Sequence, residues 1–362
     1  MEKISARRRP RLSSHFSRPC IPLGNSLRKT PRAHSQSNRV KLRPLQAVHE
    51  ITMTSDAQAI LQSWSPPLGV NLALGLTVAV YVRGWLRLHA AFPKLFSAWR
   101  LAAFLTGIIS IWIAIGSPLA AFDDVSLTVH MVQHLLLMAI APAFVLLGAP
   151  ALPFLQGLPQ LIAQRVLGRF LRWAPVRRLG HLITNPAICW LAATLALIVW
   201  HVPAAFGAAL RWSWLHDLEH ISFLGTGLLF WWPVVQPWPS TARWPRWSLP
   251  LYLFAATLPC DALSGFLAFC DRVVYVSYVS APRLLKIPPL EDQQLAASLM
   301  WICVTIIFLV PAIIVTMQIL SPQNSRLPET TWAEAGEIVS RPRSKDKNSP
   351  EMTPEPSIAL VP

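Results

Sequence analysis

Two pairs of histidines, each spaced i, i+4, are the residues of this sequence best suited to chemistry. His130 and His134 lie in SLTVHMVQHLLLMAIAPAFVLLGAP, and His216 and His220 open RWSWLHDLEHISFLGTGLLFWWPV. On a helix such a pair stacks on one face, about 6 Å apart along the axis. Both rings then reach one point and can chelate a single metal ion. Met138 continues the first stripe, and imidazole combined with thioether suits copper better than magnesium or calcium. The plainer expectation for either pair alone is two histidines hydrogen-bonded to carbonyls or carboxylates.

The surroundings narrow the choice. Of the 362 residues, 53% are hydrophobic and 14% charged, and the mean hydropathy of +0.42 is too apolar for a soluble globule of this size. The composition is that of a polytopic membrane protein, in which imidazole within a span has to face the protein interior. Tryptophans bunched at span ends (Trp212, Trp214, Trp231, Trp232, Trp244, Trp247) fit the aromatic belts of a bilayer. The formal charge of +15 is not a nucleic-acid signal, because residues 1–50 hold twelve Lys/Arg against only Glu2 and Glu50. The five cysteines form no CxxC pair, so neither a disulfide framework nor a zinc knuckle is indicated.

Residues 1–52, rich in Arg, Ser and Pro, lack the apolar core of a secretory signal and read as disordered. An organellar transit peptide would have such a composition. The reading favoured here is a working chain that starts at Met53. From Leu68 onward seven apolar runs of spanning length follow, at about 68–88, 99–119, 127–148, 186–206, 214–235, 249–270 and 294–319. They predict an all-α bundle of seven transmembrane helices over residues 64–320. A charged, Pro-rich tail over 321–362 is expected to be disordered.

Basic residues in short loops set the orientation. Arg83, Arg87, Lys94 and Arg100 flank the first connection, and Arg165, Arg169, Arg172, Arg177 and Arg178 lie in the third. The second holds Asp123 and Asp124 instead, and the fourth only Arg211. The N-terminus is therefore expected outside and the C-terminus inside. This topology puts His130 and His134, His201 in WHVP, His216 and His220, and Asp292 at one depth on the outer side, with Met300 slightly further in. They are expected to line one cavity. Asp261, inside the sixth run, marks a polar interior path or a structural hydrogen bond.

Two other patterns compete. HDLEH at 216–220 matches the inverted zincin motif, in which two histidines bind zinc and the glutamate activates water. Facing histidines on transmembrane helices can also ligate haem, although two on one helix, a turn apart, suit a compact ion better.

Taken together, HMVQHLLLMAIAPAFVLLGAP, WHVPAAF, HDLEHISFLGTGLLFWWPV and PLEDQQLAASLMW resemble the CtaG type of cytochrome c oxidase assembly factor, a bacterial seven-helix inner-membrane family. The similarity covers roughly Trp64 to Leu320. The basic extension before Met53 is not part of the pattern, and AAS at 296–298 stands where a glycine is expected. The resemblance implies a multi-pass protein of the cell inner membrane that matures a haem-copper oxidase, helping to form or supply its copper centres. It implies an assembly factor and not an enzyme, with oxidase subunits and periplasmic copper chaperones as partners, the lipid bilayer as its medium, and no nucleic acid.

The expected copper site has His130, His134, His216 and His220 at its core and His201, Met138, Met300 and Asp292 as auxiliaries. The alternatives are a haem-binding membrane electron carrier and a metal-free chaperone for oxidase subunits.

Overall fold

The computed structural model describes residues 64–159, 185–236, 244–282 and 287–321, together with Gln58, Leu61, Gln62, residues 173–175 and Gly180. The expectations for residues 1–52 and for the tail beyond Ser321 lie outside the described residues. Helices and helical turns are the regular structure throughout, with no strand among the described residues. We number the helices α1 (Leu68–Ala91), α2 (Ala98–Ile115), α3 (Leu127–Leu147), α4 (Ala151–Gly157), α5 (Pro186–His201), α6 (Pro203–Arg211), α7 (Ser213–Val235), α8 (Ser248–Phe269) and α9 (Pro289–Leu320).

Each of the seven apolar runs coincides with a helix, but they do not all qualify equally as spans. Five are long and apolar enough to cross a membrane: α1, α2 with its extension to Phe122, α3, α8 and α9. The bent pair α5 and α6 brings the number to six. At 23 residues, α7 is about 34 Å long at 1.5 Å per residue, yet His216, Asp217, Glu219 and His220 in its first turns make it too polar to count by hydropathy alone.

The fourth run corrects the sequence reading. Hydropathy carries that run to residue 206, but the helix stops at His201 and the chain turns by 75° into α6. Pro203 has no N–H to give the preceding turn and holds Val202 in an extended conformation, with ψ 125°. The break leaves His201 as the last residue of its helix.

The outward surface is apolar. Leu68, Leu72 and Leu76 on α1 and Ile302, Ile306 and Ile313 on α9 are exposed, which in water would be a large unpaired patch and in a bilayer is a solvated one. These features together describe a multi-pass membrane protein. The inward faces meet at small residues: a Cβ on Gly84 would strike the Pro153 carbonyl, and one on Gly157 the Val80 carbonyl, so α1 and α4 cross backbone to backbone.

Candidate metal centre

Three local features aim side chains at one point. The first is the start of α3. Ser126 caps this helix through its own Oγ, which accepts from Val129 N. Across from it, the Asp292 carboxylate on α9 accepts from Leu127 N at 2.7 Å, Thr128 N at 3.2 Å, Thr128 Oγ1 at 2.6 Å and Ser126 Oγ at 3.2 Å. A carboxylate at a helix N-terminus also meets the positive end of its dipole. The register of His130 and His134 is thus tied to α9.

The second feature lies one turn deeper in α3. Residues Leu136–Ile140 form a π-helical turn, followed by Pro142. Having no N–H, Pro142 cannot engage the Met138 carbonyl four residues back. Gly227 of α7 lies against that carbonyl with no side chain between. This close crossing brings the first turns of α7 onto the histidine face of α3.

The third is the helix break after His201. His201 Nδ1 is 2.7 Å from the Leu197 carbonyl, so Nδ1 carries the proton and Nε2 keeps a free lone pair. Tyr275 donates its hydroxyl to the His201 carbonyl at 3.1 Å.

Five histidines converge as a result. The ring centroids of His130 and His134 are 4.3 Å apart, those of His216 and His220 4.2 Å, and those of His130 and His216 5.4 Å. His201 and His220 each lie 6.1 Å from His134. In their midst is Glu219, fully buried, with Oε1 3.4 Å from His134 Nε2 and 3.9 Å from His130 Nε2. Ligand atoms of His130, His134 and Glu219 all lie within 4.8 Å of one another. Tetrahedral ligands about 2.0–2.1 Å from an ion are about 3.3 Å apart, so a small contraction would place all three on one metal.

The chemistry of the donors fits such an ion. Both ring nitrogens of His130 and His134, Nε2 of His201, His216 and His220, and both oxygens of Glu219 are buried without a hydrogen-bond partner among the described residues. Buried polar groups left unpaired are costly and rare, and so many at one place call for a ligand that takes lone pairs. Imidazole and carboxylate are donors for first-row transition metals.

A polar shell stands behind the donors. His216 Nε2 is 3.8 Å from Asp123 Oδ2. Gln133 donates to the same oxygen at 3.3 Å and to the Ala114 carbonyl at 2.9 Å, while the Tyr278 hydroxyl donates to the Asp123 carbonyl at 2.7 Å. Burial raises the Asp123 carboxyl to about 6, with the neighbouring His216 opposing the rise. Phe206 closes one side, its ring 4.9 Å from that of His130.

Measured against the sequence reading, His130, His134, His216, His220 and His201 meet in space. Met138 and Met300 line an adjoining cavity with His134 and His201. Asp292 plays a different part. Its carboxylate is occupied at the start of α3, which makes it an anchor for the histidine helix and takes it out of the ligand set. Glu219 was the omission. It stood in HDLEH, where Asp217 and Glu219 are symmetrically placed, each three residues from one histidine and next to the other; the packing of α7 buries Glu219 fully and leaves Asp217 exposed. Asp261 is half-buried on α8 beside Cys260, with Oδ1 unpartnered among the described residues.

Comparison with known proteins settles the family. The model of the cytochrome c oxidase caa3 assembly factor, Caa3_CtaG, matches residues 79–321. The chain belongs to this family. The matched range includes every histidine of the cluster, Glu219 and Asp292. An uncharacterized protein of Mycobacterium bovis is 26% identical over 242 residues, covering 64% of this chain and 35% of its own. One of Mycobacterium leprae is 23% identical over 227 residues, covering 61% and 34%. The Caa3_CtaG chain thus spans about a third of the length of the curated relatives it matches. No solved structure matches it.

Proposed function

We propose that this Caa3_CtaG protein matures a haem-copper oxidase by receiving copper at the His130/His134/Glu219 cluster and releasing it to an oxidase subunit. The convergence of five imidazoles and one buried carboxylate, with their donor atoms unpartnered, carries this reading. In the cell all seven apolar helices cross the inner membrane, with α7 shielding its polar first turns inside the bundle. The N-terminus lies outside and the C-terminus inside, so the cluster is served from the outer face by periplasmic copper chaperones. Copper here is cargo. No bond in a substrate needs to be broken, and the protein acts as an assembly factor without turnover.

His216 and His220 offer alternative ligands beside the first three, and exchange among neighbouring imidazoles lets an ion leave stepwise. Haem fits less well, because His134, the ring common to both pairs at the 6.1 Å spacing, also has the His130 ring 4.3 Å away and Glu219 Oε1 3.4 Å from its Nε2, which crowds a porphyrin plane off that axis.

Metal analysis of the purified protein, recorded with its visible spectrum, tests the reading against its alternatives. At least one copper per chain is expected, and the copper held at the His/Glu cluster is lost in a His134→Ala, His220→Ala double variant that still reaches the membrane. Loss of oxidase activity in cells carrying that variant should accompany it. A Soret band would instead indicate a haem carrier, and a metal-free, colourless protein that still supports oxidase assembly would indicate a chaperone acting on apo-subunits.

A further inference from the structure

Beside the His/Glu cluster lies a second chamber, walled by α3, α5, α7, α8 and α9, with a different donor chemistry. Apart from Thr194 its lining is apolar or sulfur-bearing, except where His134 and His201 form its border with the cluster. Met131, Met138, Met300 and Cys260 all line it. The sulfur atoms of the helices are concentrated here. Of the four methionines in the helices, three line this chamber, and Met317, the fourth, is exposed near the end of α9. Met131, Met300 and Cys260 are buried. His201 is 5% exposed and His134 6%, and the Nε2 of each lacks a hydrogen-bond partner among the described residues.

We propose that this chamber is a second metal station, selective for a soft monovalent ion, copper(I) in the cell, held by thioether sulfur together with the His134 or His201 Nε2. Thioether and thiol ligands prefer copper(I) to harder divalent ions. An apolar wall suits a singly charged ion better than a doubly charged one, because the cost of removing an ion from water rises with its charge. His201 is already fixed in the tautomer that presents Nε2, and His134 belongs to both compartments. The chamber would therefore bind copper(I) whether or not the His/Glu cluster holds a metal, and the two sites would differ in the kind of ion they prefer.

Silver(I), which is soft, monovalent and redox-inert, is the direct probe. The full chain in detergent should bind Ag(I), and a Met138→Leu, Met300→Leu variant should bind it at least tenfold more weakly. These exchanges conserve volume and apolarity. The same variant should keep its affinity for Ni(II), a probe of the imidazole and carboxylate cluster, within about twofold. Glu219→Gln should give the reverse pattern. Silver-edge absorption spectra should show sulfur neighbours in the wild type. Unchanged Ag(I) affinity in the methionine variant, absence of Ag(I) binding in the wild type, or parallel loss of Ag(I) and Ni(II) in both variants would each overturn the second station. Failure of Ni(II) binding alone would count against the His/Glu cluster and leave the chamber standing.

Discussion

His134 Nε2 on α3 lies 3.4 Å from Glu219 Oε1 on α7, and the same oxygen is 3.9 Å from His130 Nε2. One carboxylate oxygen thus faces two imidazoles of another helix, at distances too long for good hydrogen bonds and close to the spacing of ligands around one ion. A carboxylate ionised at this depth, with no hydrogen bond to either oxygen among the described residues, would be poorly compensated, and a metal ion would supply the missing positive charge.

Glu219→Gln keeps the shape and removes the charge. Metal affinity should fall by at least the ~10–100-fold that losing an outer-shell partner costs a metal site. The metal-free variant should melt close to the wild type, since Gln fills the same volume and neither Glu219 oxygen has a hydrogen-bond partner to lose among the described residues. Competition titration and thermal melts with and without metal check both statements. A variant with normal affinity would exclude Glu219 as a ligand.

Asp123 gives a pH dependence with a defined sign. Its carboxyl moves from an ordinary 3.8 to about 6 in the folded protein, so between those values the native state holds more protons than the unfolded state. Stability then falls as pH rises through that window. The loss is absent below about pH 4, complete above about pH 6, and at most about 3 kcal/mol. Asp123→Asn should flatten this part of the profile. Thermal midpoints of both proteins from about pH 4 to 7 make the comparison, and equal slopes would assign the dependence to another group.

The contrast between Glu219 and His134 shows where sequence reasoning stops. The helices were legible because each apolar run is long, bounded by Pro, Gly or charge, and needs no partner to be recognised. The histidines were legible because imidazole is expensive in a span and the loop charges put all five at one level. Glu219 was not, since HDLEH offers two acids and only the packing of α7 on α3 shows which one turns inward. The break at Val202 was overlooked although Pro203 marks it, because hydropathy runs on through the bend. Asp292 was misread for the opposite reason: its depth was right, but the backbone N–H groups of α3 that it satisfies are invisible until the two helices are packed.

That reassignment has its own consequence. Asp292→Ala removes a carboxylate that accepts four hydrogen bonds at the start of α3. The cost should be about 1–3 kcal/mol, the range for charge-assisted bonds and helix caps. Metal stoichiometry in the protein that remains folded should be unchanged. Asp292→Asn, which keeps one acceptor, should lie between Asp292→Ala and the wild type in thermal stability. Loss of metal from a fully folded Asp292→Asn protein would return this residue to the ligand set.

Gly227 offers the sharpest test of the packing that creates the site. It lies two turns beyond Glu219 on α7, about 12 Å along the axis, and touches no candidate ligand side chain. A methyl group there would meet the Met138 carbonyl and stand 2.8 Å from Pro142 Cγ. Neither can move easily, one being backbone and the other a ring within the helix. α7 must therefore be pushed away from α3, and Glu219 and His220 with it. Gly227→Ala should cost about 1–3 kcal/mol, the usual range for overpacking, and should weaken metal binding although no ligand has changed. Gly225, on the same helix, faces open space, with nothing within 4 Å of where a methyl group would stand. Gly225→Ala should therefore be neutral or stabilising by up to about 1 kcal/mol through helix propensity. Metal titration and thermal melting of the two variants side by side separate a close helix crossing from a general intolerance of α7. Equal metal affinity in both would mean that the crossing at Met138 does not set the His/Glu geometry.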